Sequence, residues 1–196
     1  MIRFRFFDFA LAMNGVLAFL IPKLLSVDDY GYYRLFVLYG SFAGLLHLGF
    51  IDGLTVRWAA QPERRVNSEL HAALRFLLFE QALLLGILAV IILASQGYHW
   101  LWLALATAGY VAVWNWACFA QSALQAFKRF EPISLFVVSG PALFLVLAIA
   151  LRASDRLKLH TLLFACVGSS LFAAAVQWLY VKKLVTSQPG FSVTAW

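Results

Sequence analysis

The carboxylate set deepest in an apolar run is Glu80, in RFLLFEQALLL, residues 75–85. If a helix begins near Ala72, Glu80 lies about 12 Å along it at 1.5 Å per residue. A carboxylate surrounded by hydrocarbon is costly, so it must face a polar interior, pair, or take up a proton. The chemistry it offers is proton binding or ion coupling; the plainer alternative is a neutral or paired structural group. Asn14, His47, Asn115, Gln121 and Gln177 are further polar residues in apolar settings. Hydrogen bonding between helices accounts for such residues at only about 0.6 kcal/mol each, whereas a shared cavity would turn them towards a polar ligand. Arg57, His71 and Arg75 supply cationic groups around a basic loop, and His71 and Arg75, four apart, share a helix face. They suit phosphate groups, either of a ligand or of the membrane lipids to which long basic side chains snorkel.

Other chemistries lack their residues. No His/Glu zinc motif and no phosphate-cradling glycine loop occurs. Cys118 and Cys166 fall inside apolar runs, where they behave as small apolar residues, so no disulfide, metal or cofactor is expected.

The elements that must position these groups follow from composition. The chain has 196 residues, of which 63% are hydrophobic and 12% charged, with a mean hydropathy of +0.84. A soluble domain carries about a quarter charged residues. Six apolar runs are long enough to cross a hydrocarbon core roughly 30 Å thick: Phe6–Leu25, Tyr33–Leu54, Ala72–Ser95, Leu101–Phe127, Ile133–Leu151 and Thr161–Val181. Their connections are short. The expectation is an all-α membrane protein, a bundle of about six transmembrane helices over residues 1–184, with 185–196 as a short cytoplasmic tail. The basic-then-apolar start resembles a signal peptide, but it has no small-x-small cleavage site followed by a soluble domain, so it reads as the first span.

Lysine and arginine in the short loops set the orientation. Ten of the 15 basic residues lie at the N-terminus, the second loop, the fourth loop and the C-terminal end. The other five are Lys23, Arg34, Arg152, Arg156 and Lys158. Both termini are therefore expected in the cytoplasm, and the net charge of +6 is mostly a topology signal. No nucleic-acid partner is implied, because no basic patch sits on a separate folded surface. With this topology, all the buried polar residues but Asn115 fall in the cytoplasmic halves of their spans, as a cavity open to the cytoplasm would require.

The segment SVDDYGYYRLF, residues 26–36, becomes the outward turn between the first two spans. Pro22 helps to end or kink the first. Ser26 or Asp28 caps the second, with acidic charge near its N-terminus, and Tyr30, Tyr32 and Tyr33 suit the headgroup region. Gly40 and Gly44 allow close helix approach, and Gly140–Pro141 predicts a kink in the fifth span.

The pattern Leu25, Tyr30, Gly31, Tyr33, followed by Leu48, Gly49, Leu54 and RWAA, resembles the polysaccharide and O-antigen flippases of the multidrug/oligosaccharidyl-lipid/polysaccharide exporter superfamily. The motifs are concentrated in residues 20–62; beyond them the likeness lies in the order and length of the spans. Family members have twelve to fourteen spans in two lobes, and this chain resembles the N-terminal six-helix lobe. The resemblance implies translocation of a lipid-linked oligosaccharide across a bacterial inner membrane by alternating access, without covalent catalysis or cofactor. It makes Asn14, His47, Arg57, His71, Arg75, Glu80, Asn115 and Gln121 the candidates for a substrate or ion cavity, the cations facing the substrate's diphosphate. A homodimer or a separately encoded second lobe would complete that cavity. The alternative is a non-transporting assembly partner or a degenerate fragment of such a transporter. DGLTVR, residues 52–57, resembles the start of a CDP-alcohol phosphotransferase signature, but it lacks the alanine before the arginine and the later paired aspartates.

Overall fold

The computed structural model describes residues 3–61, 63–94 and 98–186, and these form helices joined by short turns, with no strand among them. The helices are α1 (Arg3–Leu24), α2 (Val27–Ser41), α3 (Phe50–Ala59), α4 (Glu63–Ala94), α5 (Tyr98–Ala126), α6 (Glu131–Ala153) and α7 (Leu159–Thr186), with a short 3₁₀ turn at Ala43–Leu45. Each apolar run of the sequence coincides with a helix except the second, which is broken. Residues 187–196, most of the expected tail, lie outside the described residues, and α7 continues past residue 184 to Thr186.

α1 ends two residues after Pro22, and Ser26 starts α2. The backbone N–H of Asp29 donates to Ser26 Oγ at 3.2 Å, and Asp28 and Asp29 lie in the first turn. A side-chain oxygen thus satisfies a free N–H while acidic charge meets the positive end of the helix dipole. α2 cannot run on into α3. Leu48 (φ 49°) and Gly49 (φ 76°) both take left-handed backbone, so the chain turns, and Gly49 becomes the residue before α3. Glycine adopts that conformation without the side-chain clash other residues suffer. The two pieces meet at 47°.

α5 and α7 run parallel through the centre. Trp102 packs on His160 and Phe164, and Trp116 on Trp178 with ring centroids 4.9 Å apart. Three clusters surround them. Ile51, Trp58, Leu70, Leu77, Phe119 and Val181 join α3 and α4 to the pair. Leu17, Ile21, Phe144 and Leu162 join α1 and α6 to α7. Phe36, Leu103, Ala106 and Leu163 join α2 to both. At Gly40 the fit to α5 is close, because a β-carbon there would stand 3.1 Å from the Tyr110 ring. α6 remains one helix through Pro141.

The outer surface is apolar, with Leu11, Phe19, Phe79, Val90, Val146 and Leu179 all exposed. An exterior of this kind suits lipid rather than water. Among the described residues, four helices are long and apolar enough to cross a membrane, or five if α2 and α3 form one bent span. The chain is thus an all-helical protein with the make-up of a multi-pass membrane protein.

Candidate functional site

A cavity of about 710 Å³ lies between α1, α2, α5, α6 and α7. Small residues at Ala18, Gly40, Gly44 and Gly140 line it and leave the space that larger side chains would fill. Two aromatic pairs also contribute to its wall. Tyr30 and Tyr33 stack at 6.4 Å and 22°, and Tyr110 and Trp114 at 6.0 Å and 23°. Both pairs arise from helical spacing of three or four residues, which puts the rings on one face. Ser41, Ser169 and Ser170 add hydroxyls that donate back to their own helices, to Leu38 and Cys166 carbonyls at 2.6–3.0 Å. Their oxygens therefore remain acceptors. Among the described residues, Arg34 is the one charged residue of the lining, with no carboxylate beside it in the wall and no ion-pair partner. Such a site suits an anion with an attached ring system, the anion meeting the guanidinium and the ring faces meeting aromatic rings.

Of the residues that the sequence made candidates for a substrate or ion cavity, Asn14 lines this one and the others do not. The remainder fall in three places. α4 presents Val66, Leu70, Ala73, Leu77 and Glu80 inwards, with alternating spacings of four and three residues. Glu80 is thus on the packed face of α4 and only 8% exposed. His47, in the break between α2 and α3, is also buried and lies within electrostatic reach of Glu80. The break is held against α4 by Phe50 and Phe76, ring centroids 4.4 Å apart.

Asn115 and Gln177 are fully buried on α5 and α7, and their amide atoms make no hydrogen bond among the described residues. They lie on the two parallel helices next to the paired Trp116 and Trp178. Gln121 is half-buried on α5, beside Ser122, whose Oγ lies 2.6 Å from Thr55 Oγ1 of α3.

The basic residues separate. Arg57 donates to Glu69 at 2.8 Å, and Trp58 Nε1 donates to the other oxygen of the same carboxylate at 3.3 Å. Arg57 therefore ties the end of α3 to the start of α4. His71 is half-buried and Arg75 exposed, so the shared helix face does not give them a shared environment.

Sequence reasoning passed over Arg34, Tyr110 and Trp114. Arg34 counts there only as a loop charge, and the two aromatic residues sit in an apolar run that any lipid-facing helix could contain. The available signal was the i, i+3 and i, i+4 aromatic spacing opposite glycines on other helices. No family model, curated protein or solved structure matches the chain.

Proposed function

We propose that this chain is a flippase lobe that moves a lipid-linked oligosaccharide, a polysaccharide precursor, across the bacterial inner membrane by alternating access. The observation that supports this reading is the cavity of about 710 Å³ inside an apolar helical bundle, with Arg34 as the single charge among its described lining residues and two aromatic pairs on its wall. A lipid-linked sugar carries a diphosphate, sugar rings and a hydrocarbon chain. Arginine recognises phosphate oxygens with paired N–H groups, aromatic faces receive sugar rings, and the apolar exterior receives the chain.

In this reading the chain crosses six times with both termini cytoplasmic, as the ten-to-five division of basic residues suggests. A second lobe, from another copy or another polypeptide, rocks against this one around the substrate. No covalent bond is made or broken.

A second reading is a non-transporting membrane partner. It is favoured by the scatter of Asn14, His47, Gln121 and Asn115, of which only Asn14 reaches the cavity. One experiment separates the two. The purified chain is placed in vesicles containing a fluorescent polyprenyl-diphosphate sugar, and binding and inward or outward movement of the label are followed. Binding and flipping that fall in Arg34→Ala support the flippase. A folded protein that neither binds nor moves the probe supports the partner.

A further inference from the structure

Glu80 and His47 lie away from the cavity, and the proposed transport mechanism makes no use of them. They come from different elements, α4 and the break between α2 and α3, and are 8% and 4% exposed. Glu80 Oε2 and His47 Nδ1 are buried without a hydrogen-bond partner among the described residues. The contact between their elements is built by residues close to each: the Phe50 and Phe76 rings meet at 46°, and Phe76 lies one turn, about 6 Å, before Glu80. The Phe50 N–H donates to the His47 carbonyl at 2.8 Å, which fixes the histidine backbone in the turn.

Among the described residues, the charges around the pair are few. On α5, the helix packed against α4, no Asp, Glu, Lys, Arg or His occurs from Trp100 to Phe127; Tyr110 and Cys118 are its titratable side chains there. Asp52 of α3 lies within electrostatic reach of Cys118, and Arg57 is engaged by Glu69. On α4 itself, Arg75 is exposed and His71 is more than two turns away from Glu80. Among the described residues, His47 is the titratable group within electrostatic reach of Glu80.

The geometry points to a proton-binding site shared by Glu80 and His47, inside the bundle and separate from the cavity. The electrostatics of a low-dielectric interior select its occupancy. With neither group protonated the pair carries one negative charge, and with both protonated one positive charge. Only the one-proton state is neutral, whether the proton sits on the carboxyl or on the imidazole, and an isolated charge in such surroundings is costly. The proton comes from bulk water and returns to it, and no other group changes. This inference does not depend on what the cavity carries.

Selective labelling of glutamate side-chain carboxyls and histidine imidazoles, read by NMR as pH is varied in lipid nanodiscs, tests it. The carboxyl of Glu80 should titrate apart from that of exposed Glu131, and the His47 imidazole should move in the same step. In Glu80→Gln that coupled step should vanish from His47. A Glu80 signal that follows Glu131 overturns the site, as does a His47 titration unchanged in Glu80→Gln. The wild-type comparison of Glu80 with Glu131 decides the matter even where the variant does not fold. Flipping is not the readout, so failure here and failure of the flippase reading are distinct results.

Discussion

A β-carbon on Gly40 would stand 3.1 Å from Cε1 of Tyr110, so α2 and α5 approach as closely as they do because residue 40 has no side chain. Gly40→Val should force the tyrosine ring or the helix aside. Overpacking of this kind typically costs about 1–3 kcal/mol. Thermal unfolding in detergent should show the loss, and Tyr110→Ala in the same chain should recover part of it. A fully additive double variant would mean the two residues do not meet.

Glu69 should matter more than Arg57. The Arg57 end of their pair is largely exposed, with 61% of its side chain accessible, and exposed ion pairs contribute about 0–1 kcal/mol. Trp58, by contrast, is fully buried and gives its indole N–H to Glu69. Removing the acceptor leaves a buried donor unmet, at about 1–3 kcal/mol. Glu69→Ala should therefore lower the unfolding midpoint clearly while Arg57→Ala barely moves it. Equal losses would assign the effect to the ion pair.

The break between α2 and α3 gives two substitutions of opposite sign. Gly49 stands at φ 76° and Leu48 at φ 49°. A side chain in left-handed backbone costs about 1–2 kcal/mol, so Gly49→Ala should destabilise by about that much. Leu48 is 84% exposed and gives up little packing, so Leu48→Gly should be neutral or stabilising. Chemical unfolding of both variants checks the pair of signs.

How much of this was legible depended on the range of the interactions. The apolar runs announce the helices because hydropathy is local. Ser26 announces its cap because the oxygen it offers is three residues from the N–H it satisfies. The inward face of α4 follows from the spacing of Val66, Leu70, Ala73 and Leu77, which carries Glu80 with it. The break at 42–49 was hidden, since FAGLLHLG contains no proline and is almost wholly apolar. It is made by two backbone conformations rather than by a change in composition. The cavity was hidden for another reason. Asn14, Arg34, Tyr110 and Ser169 lie on four helices, and only the packing of α2 on the α5–α7 pair and of α1 on α6 brings them together.

The cavity divides the ligand into parts that two substitutions should separate. Arg34 is the only charge among its described lining residues, and a charge-assisted hydrogen bond contributes about 1.5–3 kcal/mol, or roughly ten- to a hundredfold in affinity. Trp114 is an uncharged ring stacked on Tyr110, and an aromatic contact adds about 0.5–1.5 kcal/mol beyond its buried area. Arg34→Ala should therefore weaken binding of a polyprenyl diphosphate with or without its sugar. Trp114→Ala should weaken only the sugar-bearing form, by a few-fold. Arg75→Ala, on an exposed face of α4 outside the cavity, should leave both affinities alone. Titration of the purified variants with the two lipids gives all six values. If Arg34→Ala leaves the sugar-free lipid bound as tightly as the wild type does, the diphosphate sits elsewhere and the cavity is not its site.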